Sequence, residues 1–315
     1  MVSTPEISVL LLTKDGMAYL EEVLQAISSQ KISEQFEVIA IDSGSTDGTL
    51  EILRRYPVQI KEISPEQFNH GMTRNLGIEM ARGEFVALLT QDATPSSETW
   101  LQKMMANFSD PRVAGVYCRQ MPRPDADVLT TRQLNGWLTA RLQRDIKQIE
   151  DRQAYRSLPP MEHYMFCNFD NVSSCIRKDI WRKIPFPSAS FAEDIEWSKQ
   201  VLEEGYKVVY EPEAAVIHSH DRSVLYEYRR TYLCHRRLYQ LFRLQTVPTI
   251  GHALRFSLTS VLTNSIFIMT HERRLLHKLR LLLRLPFLSV ASVFGQYQGA
   301  RDEKKLLPPK AMRGV

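Results

Sequence analysis

The sequence predicts an α/β protein: a mainly parallel sheet flanked by helices, with a helical extension at the C-terminal end. Three observations lead there. Short apolar runs that suit buried strands alternate with segments of helical periodicity over the first hundred residues. Several of these runs end in a polar cluster, the place where open α/β sheets bind ligands. After residue 220 the alternation stops, and long basic or apolar stretches take over.

Residues 7–12 (ISVLLL) are β-rich and fully apolar, which predicts a central strand. Leu20, Val23, Leu24 and Ile27 then form one helical stripe within 19–30. Residues 36–41 (FEVIAI) make a second strand, and the turn at 42–47 is rich in side chains that cap a helix over 49–56. Residues 58–63 read as a third strand. A helix over 72–82 is entered through Asn69, His70 and Gly71 and ended by Gly83. The apolar run 85–89 gives a fourth strand, which meets Gln91 and Asp92 and is stopped by Pro95.

Beyond Pro95 the pattern loosens. It predicts a helix over 100–108, a strand over 113–118 and a Pro-punctuated loop over 119–125. Residues 129–148 read as one helix that becomes strongly charged, and the segment through Pro160 as mobile or ordered by a partner. A strand over 168–176, a short helix over 178–183 and a helix opened by 191–197 and ended at Gly205 follow. Residues 208–210 and 214–218 read as two short strands.

The extension carries a basic, aromatic helix over 226–244 and two apolar stretches, 257–269 and 281–294. Neither supplies the roughly 20 uninterrupted apolar residues of a comfortable bilayer span. Arg273, Arg274, Arg280, Arg284 and Pro286 interrupt them. Two readings stand: basic amphipathic helices lying on an anionic membrane face, toward which the charge leans, and a helical subdomain packed on the sheet.

A chain of 315 residues with 43% hydrophobic and 24% charged content can bury a sizeable core. The organisation expected is a domain over 1–225 and a basic helical region over 226–315. A net charge of +4 is too mild to argue for nucleic acid. Cys118, Cys167, Cys175 and Cys234 have no metal-ligand spacing, which favours reduced thiols in the cytoplasm. The first apolar run follows no basic segment, so no signal peptide is expected.

Three strand-end clusters, Thr13 to Asp15, Asp42 with Ser43, and Gln91 with Asp92, are predicted to share one sheet edge. A carboxylate such as Asp92 can hold a divalent metal there, and the metal a diphosphate; equally, it can cap the next helix. Neither GxGxxG nor GxxxxGK[ST] occurs, which removes most support for a dinucleotide-binding loop. Nucleotidyl transfer would also want a Gly-rich basic loop after the first strand. Glu193, Asp194 and Glu196 open a helix, where acids also favour the N-terminus for its own sake. His218 ends a strand, and a neutral imidazole is a good metal ligand.

The pieces LLLTKDG, IDSGSTDGT, FNHGMTRNLGIEMARGE, LLTQDATP, FAEDIEW and VIHSHDRS together resemble the inverting family 2 glycosyltransferases of the GT-A (Rossmann-like) fold, and among them the rhamnosyltransferases. The resemblance covers residues 7–222 in order. It implies a nucleotide-sugar donor (dTDP- or UDP-linked), a glycan or lipid-linked acceptor of the cell envelope, and Mg or Mn. It assigns the nucleotide base and ribose to Thr13, Asp15 and Asp42, with Ser43 beside them. It places Arg74 and Asn75 at the donor sugar and phosphates. Asp92 answers to the last carboxylate of the family's metal motif, Gln91 to its middle residue, and Thr90 replaces its first carboxylate. Asp194 is implied as the base and His218 as a metal or diphosphate contact, while His220 receives no role. A cytoplasmic protein peripheral on the inner face of the cell membrane is expected. The non-enzymatic alternative is a membrane-bound sugar-nucleotide sensor, for which Thr90 is the best support.

Overall fold

The computed structural model describes residues 5–189, 191–219 and 223–308. By their contacts these fall into two units. The first comprises the described parts of 1–124, 134–156 and 166–219, and the second those of 125–133, 157–165 and 220–315. The second unit therefore draws two segments from the front of the chain, where one break near residue 225 was expected.

Nine strands form one sheet in the first unit: β1 (Ile7–Thr13), β2 (Phe36–Asp42), β3 (Val58–Glu62), β4 (Phe85–Thr90), β5 (Thr94–Pro95), β6 (Val113–Met121), β7 (Asp145–Lys147), β8 (Ser173–Arg177) and β9 (Lys207–Ile217). Their order is β3-β2-β1-β4-β8-β6-β9-β5, with β7 paired to β9. The β3–β2, β2–β1, β1–β4 and β6–β9 pairs are parallel. β8 runs antiparallel to both β4 and β6. It follows that β1, β2, β4, β6 and β9 all end on one edge. The expectation of a mainly parallel sheet holds, and the reason is visible in the burial: β1 and β4 are almost wholly buried, as strands covered on both faces must be.

The helix Met17–Ser28 turns Leu20, Val23, Leu24 and Ile27 onto the sheet, as its periodicity predicts. The helix His70–Met80 approaches closely because Gly77 offers no side chain; a Cβ there would sit 2.4 Å from Leu10 Cδ1. Trp100 and Trp197 are fully buried among the core residues.

Three departures from the sequence reading matter for function. Residues 129–148 do not form one helix. The helix spans Val128–Asn135, and beyond Gly136 the chain makes a short 3-10 turn at Leu138–Ala140 and then β7. In β7 the burial alternates, and Lys147 points inward to donate to Tyr117 Oη and the Asn168 carbonyl, each at 3.2 Å. Charge in the sequence masked this two-residue period. Nor is the segment before Pro160 unstructured: Asp151 Oδ1 accepts from the Gln153 and Ala154 amides and starts the helix Arg152–Arg156, which buries Tyr155. The third departure is β9, one continuous strand where two were expected. Its pairing with β6 breaks register: Cys118 faces Glu211, but Gln120 faces Val216.

In the second unit, Ser223 Oγ caps the helix Val224–Phe242, and two long helices follow, Ile250–His271 and Leu275–Lys304. Ala253 packs with Val293, and Ile268 with Leu281 and Leu285, so the last two helices run antiparallel. Among the described residues, Leu275–Lys304 alone is long and apolar enough to cross a membrane, by length and composition.

Candidate active site

The ends of β1 and β2 are joined side by side, Thr13 being the register partner of Asp42. Thr13 Oγ1 donates to Asp42 Oδ2 at 2.9 Å. Asp42 is fully buried and also accepts from the Gly44 and Ser45 amides and from Ser45 Oγ. Ser43 donates its amide and its Oγ to the Thr13 carbonyl. Asp15 stands in the left-handed region (φ 46°), which an Asp tolerates, and accepts from the Thr46 amide at 2.8 Å. Its side chain is the half-exposed carboxylate of this corner, 3.3 Å from Lys14 Nζ. Thr13, Asp42 and Ser43 thus shape the corner from within, and Asp15 faces solvent.

Gln91 fastens β4 to the same corner. Its Oε1 accepts from the Lys14 amide and its Nε2 donates to the Lys14 carbonyl, both at 2.8 Å. Gly16 makes room for it, since a Cβ would lie 2.3 Å from Gln91 Oε1. The Thr90 hydroxyl is buried without a hydrogen-bond partner among the described residues.

Asp92 and His218 meet because β5 pairs antiparallel with the end of β9, Thr94 opposite Ile217. His218 Nε2 lies 3.7 Å from Asp92 Oδ1, and both side chains are mostly buried. The other ring nitrogen, Nδ1, is 3.1 Å from Gln120 Oε1. Behind Asp92, the buried Arg123 donates to its carbonyl at 2.8 Å and sits with its guanidinium carbon 3.7 Å from the Tyr19 ring centre. No cluster of three or more metal-binding side chains occurs among the described residues. Asp92 and His218 offer two donors, an oxygen and an imidazole nitrogen. That set suits a cation whose remaining positions are filled by phosphate oxygens and water, as Mg sites commonly are. The residues present fit the implied cation.

Asp194 lies in the first turn of the helix Glu193–Glu203, and Ala192, just before that helix, is held in the left-handed region at φ 57°. Such backbone costs about 1 kcal/mol or more and persists where its surroundings impose it. Asp194 Oδ2 accepts from the Asn171 amide at 3.2 Å, and Asn171 Nδ2 reaches Glu193 Oε1 at 3.3 Å. Both acids therefore accept from Asn171, Asp194 from its backbone amide and Glu193 from its side chain. Burial, then the charges of Glu193 and Asp170, push the Asp194 carboxyl well above the ordinary aspartate value. Glu193 goes the other way: burial opposes it, but Arg74 and His70 hold it below its usual range.

Arg74 and Asn75, which the resemblance places at the donor sugar and phosphates, are held by partners within the protein. Arg74 is buried, with Nη1 donating to Glu193 Oε1 at 2.7 Å and to the His70 carbonyl. Without it Glu193 would be an uncompensated buried charge. Asn75 donates to the Phe186 carbonyl and accepts from Trp181 Nε1 and the Phe186 amide. Both tie their helix to the segment leading into Asp194.

Three residues beyond the sequence expectation join the site: Gln120, Asp170 and Arg123. Gln120 and Arg123 fall in a stretch that reads as loop, and nothing in their spacing marks them. Of the expected residues, Thr13, Asp15, Asp42, Ser43 and Gln91 gather at one corner. Asp92 pairs with His218, and Asp194 lies with Glu193 and Arg74. His220 lies outside the described residues.

The family model for glycosyl transferase family 2 matches residues 8–176, more than half of the chain. The chain belongs to glycosyl transferase family 2. This glycosyltransferase is 32% identical over 222 residues to the O-antigen chain rhamnosyltransferase WbaN of Salmonella anatum, covering 68% of this chain and 66% of that one. It is 29% identical over 233 residues to the O-antigen chain rhamnosyltransferase RfbN of Salmonella typhimurium, covering 71% and 70%. Its fold is similar to that of the mannosyltransferase PcManGT from Pyrobaculum calidifontis, solved in complex with GDP-Man and Mn2+. The TM-score is 0.60 at 17% identity, over 96% of this chain and 88% of that one. The architecture is the GT-A fold, with the C-terminal helices added.

Proposed function

We propose that this glycosyltransferase moves a sugar, L-rhamnose in our reading, from a dTDP- or UDP-linked donor to a glycan or lipid-linked acceptor of the cell envelope, with inversion. One observation carries this. Gln120 joins His218 to Asp170, and the next residue, Asn171, holds Asp194, so the residues read as leaving-group and base sides form one connected constellation. The similarity to two rhamnosyltransferases supports the choice of sugar.

The chemistry follows from charge. The donor leaves as a diphosphate, so negative charge grows on the leaving oxygen as the anomeric bond breaks. A divalent cation, Mg or Mn, held by Asp92 and His218 would supply positive charge there. Thr13, Asp42, Ser43 and Gln91 hold the corner that receives base and ribose, with Asp15 as its solvent-facing acceptor. Arg74 and Asn75 fix the helix against the segment that carries Asp194. On the opposite side of the sugar, Asp194 Oδ takes the proton of the attacking acceptor hydroxyl. A solvated aspartate, with a pKa of about 4, is a poor base for an alcohol. Burial beside Glu193 and Asp170 raises the proton affinity of Asp194 toward the range where general bases work best.

The second unit suits the inner, anionic face of a membrane. Ile250, Leu254, Leu258, Leu262 and Ile266 recur every four residues along one helix, each more than half exposed. Leu275, Leu283 and Phe287 are as exposed on the next. Between residues 250 and 300 six Arg and Lys face the single acid Glu272. Apolar ridges amid basic residues are the composition of an interfacial segment. Liposomes containing anionic lipid should bind the full chain, and L258E/L262E should lose that binding. Unchanged partition would favour the packed-subdomain reading.

The full chain, incubated with a panel of nucleotide sugars and lipid-linked acceptor, tests the activity by mass spectrometry. Donor-dependent release of nucleoside diphosphate, lost in Asp194→Asn while donor binding persists, supports the enzyme. Donor binding without turnover on any acceptor overturns it in favour of a sugar-nucleotide sensor.

A further inference from the structure

Gln120 touches both halves of the site with one amide. It lies near the end of β6, is 6% exposed, and faces Val216 of β9 across the register break. His218 is two residues beyond Val216 and therefore on the same face of the sheet. The break thus aims Gln120 and His218 at each other, a recognised use of irregular pairing beside active sites.

The partners decide which way the amide points. Gln120 Nε2 donates to Asp170 Oδ2 at 2.7 Å, and an ionised carboxylate can only accept. The amide oxygen therefore faces His218 Nδ1, at 3.1 Å. An amide oxygen is also only an acceptor, so Nδ1 must carry the ring proton. In the neutral ring this leaves the lone pair on Nε2, the atom that faces Asp92 Oδ1. Asp170 is itself held by the Val172 amide at 2.9 Å. The Asn171 amide between them reaches Asp194.

We propose that Gln120 is a positioning residue for glycosyl transfer: its amide oxygen fixes His218 in the tautomer that offers Nε2 to a divalent cation, and its amide nitrogen holds Asp170 beside Asp194. The proposal rests on Asp92 and His218 being the cation-binding pair. Metal-binding histidines depend on such a partner for ring orientation and basicity, and losing it typically costs about 10–100-fold in affinity or activity. Gln120 does this and more. When Nε2 is engaged, Nδ1–H becomes a stronger donor, and the amide it bonds to becomes a stronger donor toward Asp170. The side that steadies the departing diphosphate is thereby tied to the side that receives the proton.

The test uses the full chain with 15N-labelled histidine, the His218 signal being identified by its loss in His218→Ala. Two-bond 1H–15N correlation without added metal should show the Nδ1–H tautomer in the wild type, and Gln120→Leu should lose it. Binding of Mn2+ in the presence of dTDP should weaken about 10–100-fold in Gln120→Leu. Gln120→Glu, which keeps an acceptor toward His218 but sets a carboxylate against Asp170, should keep the tautomer and the Mn2+ affinity while lowering kcat at an unchanged donor KM. An Nε2–H tautomer in the wild type overturns the proposal. So does a Gln120→Leu variant with tautomer and Mn2+ affinity unaltered. If His218→Ala itself binds Mn2+ like the wild type, the cation-binding pair is wrong and the proposal falls with it. Loss in His218→Ala without loss in Gln120→Leu removes only the role of Gln120.

Discussion

Arg74 Nη1 and Glu193 Oε1 are 2.7 Å apart, with both side chains less than a tenth exposed. They come from helices 119 residues apart in sequence and fix the start of the helix that carries Asp194. Breaking a buried pair by removing one partner typically costs about 3–5 kcal/mol. Arg74→Ala should therefore lower the urea midpoint by a corresponding amount. Arg74→Met with Glu193→Leu should recover most of that stability but not transfer activity. A midpoint unchanged in Arg74→Ala would show that the pair contributes little.

Asp194 acts as a base only when deprotonated, so activity should be lost as pH falls through its pKa. That pKa is raised, first by burial and then by Glu193 and Asp170. Asp170→Asn removes one negative charge and should move the acidic limb of the kcat/KM profile to lower pH. A limb that stays in place would assign it to another group.

The same raised pKa makes a claim about stability. The folded state favours protonated Asp194, so its contribution is full below the unfolded pKa and is lost as pH rises through the folded one. Asp194→Asn cannot ionise. It should raise the melting temperature at pH 8 by about 2–4 °C for each kcal/mol recovered, while kcat falls by about 10²–10⁴. Calorimetry at pH 8 and pH 5 checks this, with the gain expected to shrink at the lower pH.

Chelation should abolish transfer, and Asp92→Ala should do the same with added Mn2+. Activity in EDTA equal to that in Mn2+ would remove the cation from the mechanism.

Gly16→Ala would push a Cβ into Gln91 Oε1 and displace the two hydrogen bonds to Lys14. The net loss should be about 1–3 kcal/mol, from two ordinary hydrogen bonds. The donor KM should rise several-fold with a smaller effect on kcat. A normal KM would show that the corner does not need this clamp.

Much of this could be read from the residues. Apolar runs ending in Thr13, Asp42 and Gln91–Asp92 announced parallel strands with a polar edge, because a strand buried on both faces leaves little ambiguity. Arg74 was legible as a residue of the site region but not as the partner of Glu193, since helical periodicity says nothing about a residue 119 positions away. Gln120 and Asp170 were invisible for a related reason. Neither has unusual spacing, and their meeting depends on where β6 and β9 change register. Lys147 misled the helix prediction because a charged residue at an inward strand position looks, in sequence, like a solvated one.

That change of register also fixes a length. Between Cys118 and Gln120 the chain takes two steps on β6, while from Glu211 to Val216 it takes five on β9. Side chains alternate sides along a strand, so inserting or deleting one residue among Pro212, Glu213, Ala214 and Ala215, with the pairing before Glu211 and the rest of the strand kept, would turn the imidazole now at 218 to the far surface of the sheet. These four residues act as a ruler whose length, and not only whose buried side chains, decides where that ring points.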